Sequence, residues 1–136
     1  MTPLLYAARD GRMDIVRMLL EAGADINQRD ANEITPLIIA ITNNHPDVAR
    51  DLIDRGADIK AVDWYGRTAL WAAVETRNMD VDNATFVNSI DRAPFLDLIQ
   101  VLLERGADPN VRTKEVPPIR REFLRITGSL AWVDFT

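Results

Sequence analysis

Four apolar positions at helical spacing recur three times along the chain. Ile15, Val16, Leu19 and Leu20 form the first set, Val48, Ala49, Leu52 and Ile53 the second, and Leu98, Ile99, Leu102 and Leu103 the third. This spacing predicts one amphipathic helix per block, with the apolar stripe buried. A shorter, alanine-containing apolar stretch precedes the first and third sets: Leu4, Leu5, Ala7 and Ala8, then Ala69, Leu70, Ala72 and Ala73. Each block therefore reads as helix, turn, helix and polar loop. Thr2-Pro3 suits the start of a first helix, because threonine can cap it and proline is pre-set for its first turn. Gly11 is placed to end that helix in a left-handed conformation. Asn44, at the corresponding place in the second block, is the next most tolerant residue type. His45-Pro46-Asp47 opens the second helix of that block, since proline is accepted in a first turn but not mid-helix.

The blocks are in register. Thr2 to Thr35 is 33 residues, Thr35 to Thr68 is 33, and Gly23 to Gly56 is 33. A fixed period of this size predicts stacked repeats sharing one continuous core. Repeats are expected over about 2–29, 30–62 and 63–113, within a single domain spanning 1–136. The third departs from the period, because Gly56 to Gly106 is 50 residues. The additional residues are expected at about 81–96, in the turn between the two helices, where an insertion leaves the stack undisturbed. Residues 114–136 are expected to form an extended hairpin tail, with a short amphipathic helix around Ile119, Phe123 and Ile126.

Composition narrows the function more than it names it. The net charge of −5 with 16 Lys and Arg against 21 Asp and Glu disfavours nonspecific binding to nucleic acid or anionic membrane. The chain has no cysteine and one histidine, so thiol chemistry is excluded and imidazole chemistry has a single candidate, His45. No apolar run has the length of a membrane span. The absence of cysteine and of a signal peptide at Met1-Thr2-Pro3 makes a cytoplasmic location the expectation.

The repeated phrases Thr-Pro-Leu, Gly-x-x-x-(Ile/Val)-(Val/Ala)-x-x-Leu-(Leu/Ile) and Gly-Ala-Asp make the chain resemble the ankyrin-repeat family over most of residues 2–113. The resemblance implies an all-α solenoid of helix-turn-helix units with short β-hairpin fingers. It further implies noncatalytic binding of another protein through fingertips and the concave inner-helix face, with no cofactor. The family's usual histidine after Thr-Pro-Leu is replaced by Leu5, Ile38 and Trp71, and Glu33 stands at the fingertip position that holds Gly66 in the next repeat.

Candidate chemistry elsewhere is sparse. Asp25, Asp58 and Asp108 fall one per repeat, too far apart to share a cation at ~2.3–2.6 Å ligand distances, so they are expected to be structural. Gly-Ala-Asp ends a helix where a phosphate loop would begin one. His45 is expected to cap or steady a turn. Arg112, Lys114, Arg120, Arg121 and Arg125 make the tail locally basic, for contact with the solenoid or with an acidic partner. The strongest functional signal is Trp64, Tyr65 and Arg67 on one expected fingertip, since these residue types dominate interface hot spots. Trp71 and Glu75 on the following inner helix, and Asn32 and Ile34 from the neighbouring finger, extend that surface. Packing of Trp64 or Tyr65 against the insertion or tail is the competing reading. At the level of the whole chain, the alternative function is a regulatory or small-ligand-sensing segment of a larger protein. Self-association is expected, if anywhere, through the uncapped C-terminal tail.

Overall fold

The computed structural model describes residues 1–78 and 93–114. Within them the chain forms six helices: α1 (Pro3–Arg9), α2 (Met13–Glu21), α3 (Pro36–Thr42), α4 (Pro46–Asp54), α5 (Ala69–Asn78) and α6 (Ala93–Glu104). They pair as α1 with α2, α3 with α4 and α5 with α6. An inner row stacks α1 on α3 on α5, and α4 packs on α6 in the outer row.

The threonines start the inner helices as their residue type predicts. Thr2 Oγ1 accepts the Leu5 N–H at 3.3 Å, Thr35 Oγ1 the Ile38 N–H at 3.3 Å, and Thr68 Oγ1 the Trp71 N–H at 3.2 Å. These bonds satisfy N–H groups that a first helical turn leaves without an intrahelical acceptor. The residues replacing the family's histidine are thus tied to the cap through their backbone. The turns within pairs are left-handed, at φ 70° for Gly11 and 66° for Asn44. His45 occupies the N-cap position of α4 without a side-chain cap bond. Its imidazole instead abuts Gly11 of the preceding repeat, where an added Cβ would lie 2.5 Å from the ring.

One continuous core joins the three repeats, with Leu5, Leu37, Ile38, Ile41, Leu52, Phe95, Leu98 and Leu102 at its centre. Each such side chain contributes about 1.5–3 kcal/mol by leaving water. Two expectations are corrected here. The stripe of α2 is only partly buried: Val16 is fully enclosed, Leu19 and Leu20 are half-covered, and Ile15 is exposed. Helical spacing identifies an apolar face but not whether a neighbour covers it, and α2 belongs to the first of the described repeats. The insertion also yields residues to the helix, since α6 starts at Ala93 and Phe95 lies fully buried. The remainder of the expected insertion, and the tail from residue 115 on, lie outside the described residues.

The repeated aspartates are structural. Asp25, Asp58 and Asp108 each accept the backbone N–H two residues on, at 2.9, 2.9 and 2.8 Å, closing the turn after each outer helix. Among the described residues no group of three or more His, Cys, Asp or Glu is arranged for a metal ion. Nor is any helix among them long and apolar enough to cross a membrane.

Candidate fingertip interface

The loops between repeats project as fingers, and one aspartate organises each. In the first finger, Asp30 Oδ1 accepts the N–H groups of Asn32 and Ile34 at 2.8 and 2.9 Å. In the second, Asp63 Oδ1 accepts those of Tyr65 and Arg67 at 3.0 and 2.9 Å. A backbone bond closes each turn, from Asp30 N–H to Ile34 O and from Asp63 N–H to Arg67 O. Single backbone bonds then join successive fingers: Trp64 N–H to Asn32 O at 2.9 Å, and Lys114 N–H to Tyr65 O at 2.7 Å. The fingers are turns held side by side, and no strand occurs among the described residues.

The fourth residue of the turn must be left-handed. Gly66 has φ 80°, and an added Cβ would stand 3.2 Å from the Lys114 backbone nitrogen. Glu33 adopts the same conformation, with φ 59°. A side chain in this region costs about 1–2 kcal/mol, partly offset in glycine by its greater freedom when unfolded. Glu33→Gly is therefore expected to raise stability by about 0.5–1 kcal/mol, read from urea unfolding. An unchanged midpoint would mean that the first finger stores no such strain.

The seven expected contact residues divide by exposure. Trp64 is 61% exposed, the only aromatic that projects so far among the described residues. Asn32 is exposed beside it through the backbone bond already described. Tyr65, Ile34, Trp71 and Glu75 are half-buried, with Ile34 packed against the core. Trp71 and Glu75 lie one turn apart on α5.

Arg67 departs from its expected place on the exposed fingertip. Its side chain is 2% exposed, with Nε 2.6 Å from Asp63 Oδ2, and Asp63 is itself buried. The guanidinium carbon stands 5.7 Å from the centre of the Tyr65 ring, and Nη1 is buried without a hydrogen-bond partner. Arginine is almost never fully buried unless paired. Its partner stands four residues upstream in the sequence, as the same Asp63 that organises the turn. The described basic residues of the third finger, Arg112 and Lys114, are exposed.

Comparisons with known proteins agree with this architecture. A family model described as ankyrin repeats, in three copies, matches residues 4–113. Among solved structures, the chain is similar to the human ASB11 ankyrin repeat domain, with a TM-score of 0.65 and 26% sequence identity. That match covers 92% of this chain and 49% of the other, so the chain spans about half the length of that domain. A search of the curated proteins finds no match. Ankyrin repeats are in general protein–protein interaction modules and are typically noncatalytic. With its three aligned helix pairs, its aspartate-organised fingers and this match over most of its length, the chain belongs to the ankyrin-repeat family.

Proposed function

We propose that the chain binds another protein across its fingertips and inner-helix face, with Trp64 as the central contact. The observation that carries this reading is a large aromatic side chain, 61% exposed, on a backbone held from both sides. The Asp63 carboxylate fixes the turn from within, and the Asn32 carbonyl ties it to the finger in front. A contact group already fixed in place loses little conformational freedom on binding. Tryptophan adds broad apolar area and an indole N–H that can find an acceptor in the partner. Asn32, Tyr65, Trp71 and Glu75 supply the surrounding polar and aromatic surface, and Ile34 sets the edge where the first finger meets the core. Arg67 supports the finger from beneath.

The test is affinity capture with the wild-type chain and with Trp64→Ala at matched concentrations. A protein retained by the first and lost from the second supports the assignment. Identical retention by both counts against it.

A further inference from the structure

The fingers carry charge as well as an aromatic side chain. The bonds from Trp64 N–H to Asn32 O and from Lys114 N–H to Tyr65 O are the same contact one repeat apart. They set Ala31, Trp64 and Lys114 in one row across successive fingers, with Arg29, Val62 and Arg112 in the row two residues back. The third finger stays close to the second. Its Arg112 carbonyl and Lys114 Cγ lie 3.4 and 3.3 Å from where a Cβ on Gly66 would stand.

Cations are used differently here than on the helices. Arg17 and Arg55 pair with Asp51, and Arg50 and Arg105 with Asp54. Arg9 pairs with Asp10, and Arg67 with Asp63. Arg29, Lys60, Arg112 and Lys114, by contrast, are exposed and have no ion-pair partner; among the described side chains Arg12 is the one other free cation. The carboxylates of the fingers do not neutralise them. Asp63 is buried against Arg67, Asp30 holds two backbone N–H groups, and Glu33 is the one exposed carboxylate in the turns at 29–34, 60–67 and 110–114. Asp58 stands nearer α4, engaged with the Lys60 N–H.

The chain itself is a poor source of the missing charge. Residues 115–136 hold three basic and three acidic residues, so they bring no net negative charge. Residues 79–92 include Asp80, Asp82 and Asp91, but they join α5 at Asn78, at the end of the helix away from the finger. Ten residues of helix separate the two points by about 15 Å.

We infer that the partner of the fingertips is an acidic segment of another protein, with an aromatic or aliphatic side chain beside two or more carboxylates. The inference rests on Trp64 as the central contact. The apolar side chain packs on the indole, on the side where Ala31 leaves room, and the carboxylates meet Lys114 and the fork of Arg112. Free cations around the anchor steer such a segment in and set its register, an effect that salt weakens.

Panning a phage-displayed library of random peptides over the immobilised full chain tests this chemistry directly. The expected result is enrichment of sequences with two or more Asp or Glu beside an aromatic or aliphatic residue. Enrichment of basic or uncharged sequences, or of none, would overturn the proposal. The most enriched peptide, fluorescently labelled, is then titrated by anisotropy into wild type, Trp64→Ala and the double variant Arg112→Glu with Lys114→Glu. The double variant is expected to bind roughly tenfold or more weakly at low salt, through slower association. Its melting temperature should stay near wild type, because both side chains are exposed and unpaired. Wild-type affinity should fall as salt rises from about 10 mM to about 150 mM. Binding lost in Trp64→Ala but kept in the double variant would overturn the acidic partner and leave the fingertip reading standing. The opposite pattern would support the acidic partner and remove Trp64 as its anchor. Displacement of the peptide by a single-stranded oligonucleotide at equal charge would assign the surface to nucleic acid, against the proposal.

Discussion

Arg67→Ala is expected to lower stability by about 3 kcal/mol, near the bottom of the roughly 3–5 kcal/mol range for breaking a buried ion pair. The loss arises because Asp63, 1% exposed, would keep its charge while losing the Nε–H bond to Oδ2. Two backbone N–H groups would still hold Oδ1, and Nη1 already lacks a partner. Both facts pull the cost toward the low end. Lysine should not restore the loss, since it lacks the rigid guanidinium that places Nε against the carboxylate. A double variant, Asp63→Asn with Arg67→Met, keeps an acceptor for the turn and fills the guanidinium's space with apolar atoms. It should lose less than the two single changes added together, a coupling that urea unfolding of all four proteins would measure. Equal, additive losses would show that the pair contributes only as two separate side chains.

Trp64→Ala is expected to do the reverse. With most of the indole in solvent, stability should move by no more than about 0.5 kcal/mol. Partner binding should weaken by about 2 kcal/mol or more, the threshold of a hot spot, which raises Kd roughly thirty-fold. The contrast between Trp64 and Arg67 is informative because they sit three residues apart on one turn. One is held out by the finger, and the other holds the finger. Binding lost in Arg67→Ala would accompany unfolding, whereas binding lost in Trp64→Ala would not.

Much of this architecture was legible in the residues. The 33-residue period, the Thr-Pro starts and the left-handed Gly11 and Asn44 place five of the six helices, because each signal reflects a local backbone requirement. The start of α6 was obscured: Ala93-Pro94-Phe95 precede the periodic stripe, and only tertiary packing shows that Phe95 belongs to the core. Exposure of Ile15 could not be read from spacing, which reports a helix's apolar side without reporting its neighbours. The candidate interface was half legible. Trp64 stands where a fingertip aromatic was expected, but the same reasoning overrated Arg67 by treating every residue of an exposed turn as exposed. An aspartate four residues before an arginine, across a turn closed by its own backbone bond, is the pattern that distinguishes a supporting arginine from a contacting one.

The most direct measurement of the central claim is the affinity of the wild-type chain and Trp64→Ala for the captured partner, taken alongside their unfolding midpoints. A large loss of affinity at an unchanged midpoint is the predicted result. A partner that binds both proteins equally well, or a variant that unfolds early while any folded fraction binds normally, would contradict it.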